Sequence, residues 1–195
     1  MLNACATALT EKLLCRFPMV RVRRAVYIYG FEITISSLAV MLSVFILSCL
    51  CGAVYTSFTF SLIFVSIRLF SGGYHAKTYG RCFILSNAVY LICFDAARLI
   101  QTLRIEFLCP FLVLSSMAVV FMLTPIKNKN HPMSDVSYRK NRNISWQITA
   151  CEGLCILIAY FLSFMPHIVC MCSTTMTAVA VLMVIPKIRE RRKDV

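Results

Sequence analysis

The sequence predicts an all-α, polytopic integral membrane protein: about six transmembrane or re-entrant helices, preceded by an amphipathic N-terminal helix. Three observations carry that reading. The chain is 59% hydrophobic and only 14% charged, whereas soluble domains average about 25% charged residues. The apolar residues gather in charge-free runs, Ile33 to Ile67, Phe107 to Ile126 and Gly153 to Pro186, and runs beyond roughly 18 residues suit membrane helices. None of them alternates with the period of two expected of a barrel strand. At 195 residues the chain is expected to be one domain.

Taken in order, residues 1–28 form a basic segment. Glu11, Lys12, Arg16, Arg21, Arg23 and Arg24 interrupt any signal-peptide core. Leu9, Leu13, Phe17 and Val20 recur at helical spacing, with Lys12 and Arg16 on another face. That pattern predicts an interfacial amphipathic helix that Pro18 ends or kinks, with a solvated basic tail as the other reading. Ile33 to Ile67 would reach roughly 52 Å as one helix, against a hydrocarbon core of about 30 Å. It is therefore expected to fold as two helices with a turn near Gly52 to Ser57, the second being short and crossing or re-entrant.

A third span is expected from about Cys82 to Ile100, with Asp95 paired to Arg98 one turn away. A fourth covers Phe107 to Thr124, Pro110 falling in its tolerant first turn. Residues 125–143 read as a polar loop containing Pro125, Lys127, Lys129, His131, Pro132, Arg139, Lys140 and Arg142. Trp146 opens a fifth span as an interfacial aromatic. Pro166 and His167 separate the fifth span from the sixth, and 187–195 is a basic tail.

The net charge of +12 follows from this topology. With six spans, 18 of the 20 cations fall on the side of both termini, and only Arg98 and Arg104 on the other. The positive-inside bias places the termini and residues 68–82 on the cytoplasmic face of a cell membrane. Cations beside apolar runs, without an aromatic–basic platform, argue against a nucleic-acid partner. The 11 cysteines include no C-x-x-C pair. Cys49/Cys51, Cys151/Cys155 and Cys170/Cys172 lie inside apolar runs and read as small buried hydrophobes. Small residues on several spans allow close packing and hence a homodimer.

One stretch looks like a site. Arg68 to Cys82 reads R-L-F-S-G-G-Y-H-A-K-T-Y-G-R-C, with three glycines, a histidine, three cations and a cysteine between two apolar runs. Cys82 is the candidate nucleophile and His75 its base. On one straight helix the two would be offset by about 10.5 Å, so the chain must bend between them, as Gly80 permits. At the start of a helix, beside Arg81 and Lys77, a thiolate is favoured and backbone amides can stabilise an oxyanion. The bland reading of Cys82, a cysteine near a histidine by chance, stays open on these residues alone. Two ligands are too few for zinc, and the chemistry requires no cofactor.

Arg68-x6-His75-x6-Cys82 with Gly72-Gly73 before the histidine, followed by Pro125-Ile126-Lys127-Asn128-Lys129-Asn130-His131-Pro132, resembles the accessory gene regulator B (AgrB) family across nearly the whole chain. The resemblance implies a membrane cysteine endopeptidase of Gram-positive bacteria. Its substrate is a small AgrD-like precursor, cut near its C-terminal end. Cys82 attacks a peptide carbonyl while His75 takes the thiol proton. The resulting thioester is then captured by a precursor Cys or Ser, giving a thiolactone or lactone quorum-sensing signal. Arg68 and the glycines Gly72 and Gly73 match family positions. Arg68 then anchors a precursor carboxylate or holds the oxyanion, or else is a snorkelling interface residue. Glu152, early in the fifth span, orients His75 or meets precursor cations, or is a protonated or locally paired carboxyl. Two other functions stay open: a non-enzymatic peptide exporter, and a thiol acyltransferase with another acceptor.

Overall fold

A computed structural model describes residues 2–16, 24–71, 78–125 and 135–191. These form helices α1 (Leu2–Arg16), α2 (Arg24–Leu50), α3 (Tyr55–Ser71), α4 (Tyr79–Thr102), α5 (Leu108–Leu123), α6 (Asp135–Phe161) and α7 (Pro166–Arg191), with no strand among the described residues. The protein is an all-α, polytopic membrane protein. Four helices, α2, α4, α6 and α7, are long and apolar enough to cross a membrane. The 17 residues of α3 and 16 of α5 reach only about 26 and 24 Å, short of a full hydrocarbon core.

Ile33 to Ile67 does divide in two. Leu50 ends α2, and Gly52 turns the chain at φ +66° before Tyr55 begins α3, a conformation that suits a residue without Cβ. The other two tight connections are Leu103 to Phe107 and Leu162 to Met165. All three turns share one end of the bundle. The Tyr55 and His167 rings meet at 4.8 Å, and Cys109 touches Cys170. Ser71, Tyr79, Leu123 and Asp135, the far ends of α3, α4, α5 and α6, therefore lie toward the opposite end.

Side-chain hydrogen bonds tie the helices where hydrocarbon offers none. Ser43 donates to Asn87 between α2 and α4 at 2.8 Å. Thr56 and Tyr90 meet at 2.7 Å between α3 and α4. The Thr174 hydroxyl donates to the Cys93 carbonyl between α7 and α4, and Ser116 donates to Thr177 between α5 and α7 at 3.2 Å. α7 packs against α3, α4, α5 and α6 and buries Val169, Met171, Met176, Val179 and Met183. α2 lies at the periphery, with Leu38, Leu42, Ile46 and Leu50 facing outward, as a lipid-contacting helix should.

Several elements differ from expectation. α6 begins at Asp135, not near Trp146, because Asp135 to Asn143 holds no proline or glycine and continues the helix into polar sequence. Part of the expected 125–143 loop is thus helical. Likewise α7 runs to Arg191, so most of the expected basic tail extends the last span. α2 starts at Arg24, ahead of the charge-free run. In α1 the enclosed face is Ala6, Thr10 and Leu14, while Leu9 is 44% exposed. The helix packs on α2 through its small residues, so the Leu9 stripe is not the buried one. Phe17, Pro18 and Val20 lie outside the described residues.

Asp95 and Arg98 form no ion pair; the one among the described residues joins Arg24 to Glu11 at 2.6 Å. The Arg98 guanidinium instead lies over the Phe94 ring at 5.6 Å. Of the paired cysteines only Cys170 is buried. Cys172 is half-buried, and Cys49, Cys51, Cys151 and Cys155 are exposed on the helix exterior. A weakly polar thiol is tolerated against lipid as well as in a core.

Candidate functional site

Thr78 opens the helix that carries Cys82. Its backbone is extended (φ −138°, ψ 150°) and its hydroxyl accepts from the Arg81 N–H at 3.4 Å, the geometry of an N-cap. The Cys82 N–H donates to the Thr78 carbonyl at 3.1 Å. Cys82 is therefore the first α4 residue with its N–H in the intrahelical ladder. The preceding amides of Tyr79 and Gly80 fall outside it by helix geometry. The Cys82 side chain is half-buried, in the first turn of a helix whose partial positive charge favours an anion.

Arg68 stands in the last turn of α3. Its guanidinium lies 5.1 Å from the Phe64 ring centroid and within electrostatic reach of the Cys82 sulfur. The two ends of the 68–82 stretch are thus brought together in space. His75, Gly72 and Gly73 lie outside the described residues, as do Lys77, Lys127 and Lys129. Among the described residues, no group of three or more His, Cys, Asp or Glu has the arrangement of a metal site.

Glu152 is placed by α6 against α3. Its Oε1 accepts from the Ser66 hydroxyl at 2.5 Å, while its buried Oε2 has no partner among the described residues. Ser145 and Thr149 share its helix face by spacing; both are fully buried, and their hydroxyls are also without a partner there. On the other side of Cys82, Tyr79 donates to Glu32 Oε2 at 2.9 Å, and Asn3 donates to Glu32 Oε1 at 2.6 Å. One α2 carboxylate therefore joins α1 to the first residue of α4.

Sequence reasoning missed Ser66, Glu32, Tyr79 and Thr78. Thr78 was open to recognition as a threonine three residues before a capped amide. The others depend on contacts 47 and 86 residues apart in the chain and left no local signal.

The accessory gene regulator B profile matches residues 6–188, which spans every element around Cys82, Arg68 and Glu152. The chain belongs to the AgrB family. AgrB membership puts it in accessory gene regulator autoinducer processing, with a peptide precursor as substrate and the membrane as its setting. Neither the curated proteins nor the solved structures gave a match.

Proposed function

We propose that this AgrB-family protein is a membrane cysteine endopeptidase that cleaves an AgrD-like precursor through a thioester on Cys82. The observation that carries the reading is Cys82 in the capped first turn of α4 with the Arg68 guanidinium in electrostatic reach. A cysteine placed for packing alone has no need of a positive neighbour and a helix N-terminus. Both are placed to offset negative charge that develops on a substrate carbonyl when the sulfur attacks it.

In this reading His75 accepts the Cys82 thiol proton as sulfur attacks the scissile carbonyl. Arg68 and the amides at the start of α4 offset the developing negative charge. The C–N bond then breaks, His75 returns the proton to the departing amine, and the acyl group remains on Cys82 as a thioester. A precursor thiol or hydroxyl attacks that thioester, closes a thiolactone or lactone ring and frees the Cys82 sulfur. The thioester conserves the activation of the acyl group, so ring closure needs no ATP. Gly72 and Gly73 let the precursor backbone approach closely, and Glu152 receives a precursor cation. The cation distribution supports a cytoplasmic site with both termini inside, in a Gram-positive cell membrane. A homodimer fits the small residues on the spans.

The test is mass spectrometry of a co-expressed candidate precursor with the wild type, Cys82→Ser and His75→Ala. Cleaved peptide from the wild type alone, with a trapped acyl adduct on Cys82, is the expected result. Processing that persists without Cys82 overturns the mechanism and favours export or another catalyst. An acyl adduct that passes to a different acceptor favours the acyltransferase reading.

A further inference from the structure

Two thiols outside the Cys82 site are in contact. Cys109, in the first turn of α5, and Cys170, in the second turn of α7, approach to 3.7 Å between sulfurs. Both are buried, at 1% and 0% exposure, and the residues are 61 apart in the chain. Both lie at the end of the bundle that carries the three tight turns, away from Cys82. A cavity of about 320 Å³ opens there, lined by Glu106, Tyr160, Ser163, Pro166, Val169 and Cys170 among others. Cys170 thus belongs to the cavity wall, and Cys109 lies behind it.

We propose that Cys109 and Cys170 are a modification site: a dithiol that a small-molecule disulfide converts to an intramolecular disulfide joining α5 to α7. A disulfide needs its sulfurs about 2.05 Å apart, so the two sulfurs, now at 3.7 Å, must close by roughly 1.6 Å. Cys170 is buried but belongs to the cavity wall; once the wall side chains shift to admit the reagent, its sulfur attacks one sulfur of the reagent and its proton leaves with the departing thiolate. One reagent thiolate departs and a mixed disulfide forms. The Cys109 sulfur then attacks the Cys170 sulfur, and the second reagent thiolate departs. Two S–H bonds are lost and one S–S bond forms; the two electrons and two protons end on the reagent as two thiols. Cys151 and Cys155 also interact, but both lie on α6, so a bond there would join no two helices. In the orientation proposed above, the α5–α7 pair lies on the outer face, where disulfides persist. The proposal does not depend on Cys82 being a nucleophile.

The experiment uses the full chain in membranes, treated with dithiodipyridine, blocked with N-ethylmaleimide, digested and analysed by mass spectrometry. The expected product is one cross-linked peptide pair containing Cys109 and Cys170, lighter than the two free peptides by two hydrogens and separated by reduction. Cys82→Ala is expected to retain it, and Cys109→Ser and Cys170→Ser to lose it. Finding both cysteines blocked as separate thiols after oxidation overturns the proposal. So does finding each joined to some other cysteine. Because the cross-link is read in the wild type, misfolding of a serine variant does not mask the answer.

Discussion

Tyr79 donates to Glu32 at 2.9 Å, which fixes the first residue of α4 to α2 three positions before Cys82. Removing that bond leaves α4 intact but frees its first turn to shift. Tyr79→Phe is expected to cost about 0.5–1.5 kcal/mol in thermal unfolding and to lower precursor processing several-fold. Glu32→Gln keeps an acceptor and should retain more processing than Glu32→Ala. Equal, unchanged rates in all three variants would show that the tether does not position Cys82.

The Ser66–Glu152 bond predicts an asymmetry. Ser66→Ala removes the one donor seen at a carboxylate whose other oxygen is already unpartnered among the described residues. That change should cost about 1–3 kcal/mol, read as earlier loss of monodisperse protein on heating in detergent. Adding Glu152→Leu to Ser66→Ala should restore part of the loss, because it removes the buried acceptor as well. A double variant less stable than Ser66→Ala counts against the account.

Tyr90 is fully buried, meets Thr56 at 2.7 Å and packs edge-on against Phe60 at 5.3 Å. Tyr90→Phe should cost about 1 kcal/mol and leave processing near the wild-type rate. Tyr90→Ala, which opens a cavity between α3 and α4, should cost about 3–5 kcal/mol. The same thermal assay separates the two.

The tight turns make opposite predictions for glycine. Gly52 holds φ +66°, so Gly52→Ala should destabilise by about 1–2 kcal/mol. Ser163 holds φ 51° with a Cβ present, and Ser163→Gly should stabilise by up to about 1 kcal/mol. Matching signs in the two midpoints would show that turn strain is not what is being measured.

Much of the architecture was legible because hydrophobic run length is a local property. The split of Ile33 to Ile67, the boundaries of α4 and α5, and the break before Pro166 all follow from charge-free runs and turn residues. The start of α6 was not legible, since Asp135 to Asn143 is polar and only its lack of breakers marks it as helix. Burial in α1 and the fate of Arg98 depend on which face meets a neighbour, and apolar periodicity in Leu9 misled because small residues, not leucines, allow α1 to approach α2. Within the candidate site, Cys82 and Arg68 were visible as chemistry-bearing residues beside glycines. The Thr78 cap is local, whereas the Tyr79–Glu32 and Ser66–Glu152 bonds arise from tertiary contact.

The three short turns at one end of the bundle have a consequence for how the molecule meets its surroundings. Each offers only four or five residues between helices, drawn in by backbone hydrogen bonds such as Gly52 to Cys49 and Ser163 to Tyr160. A protease needs an extended segment to bind, and an antibody needs a raised epitope; this end presents neither. Treatment with either agent from that side should leave the protein whole and unlabelled. Seen from that side, the molecule is close to invisible.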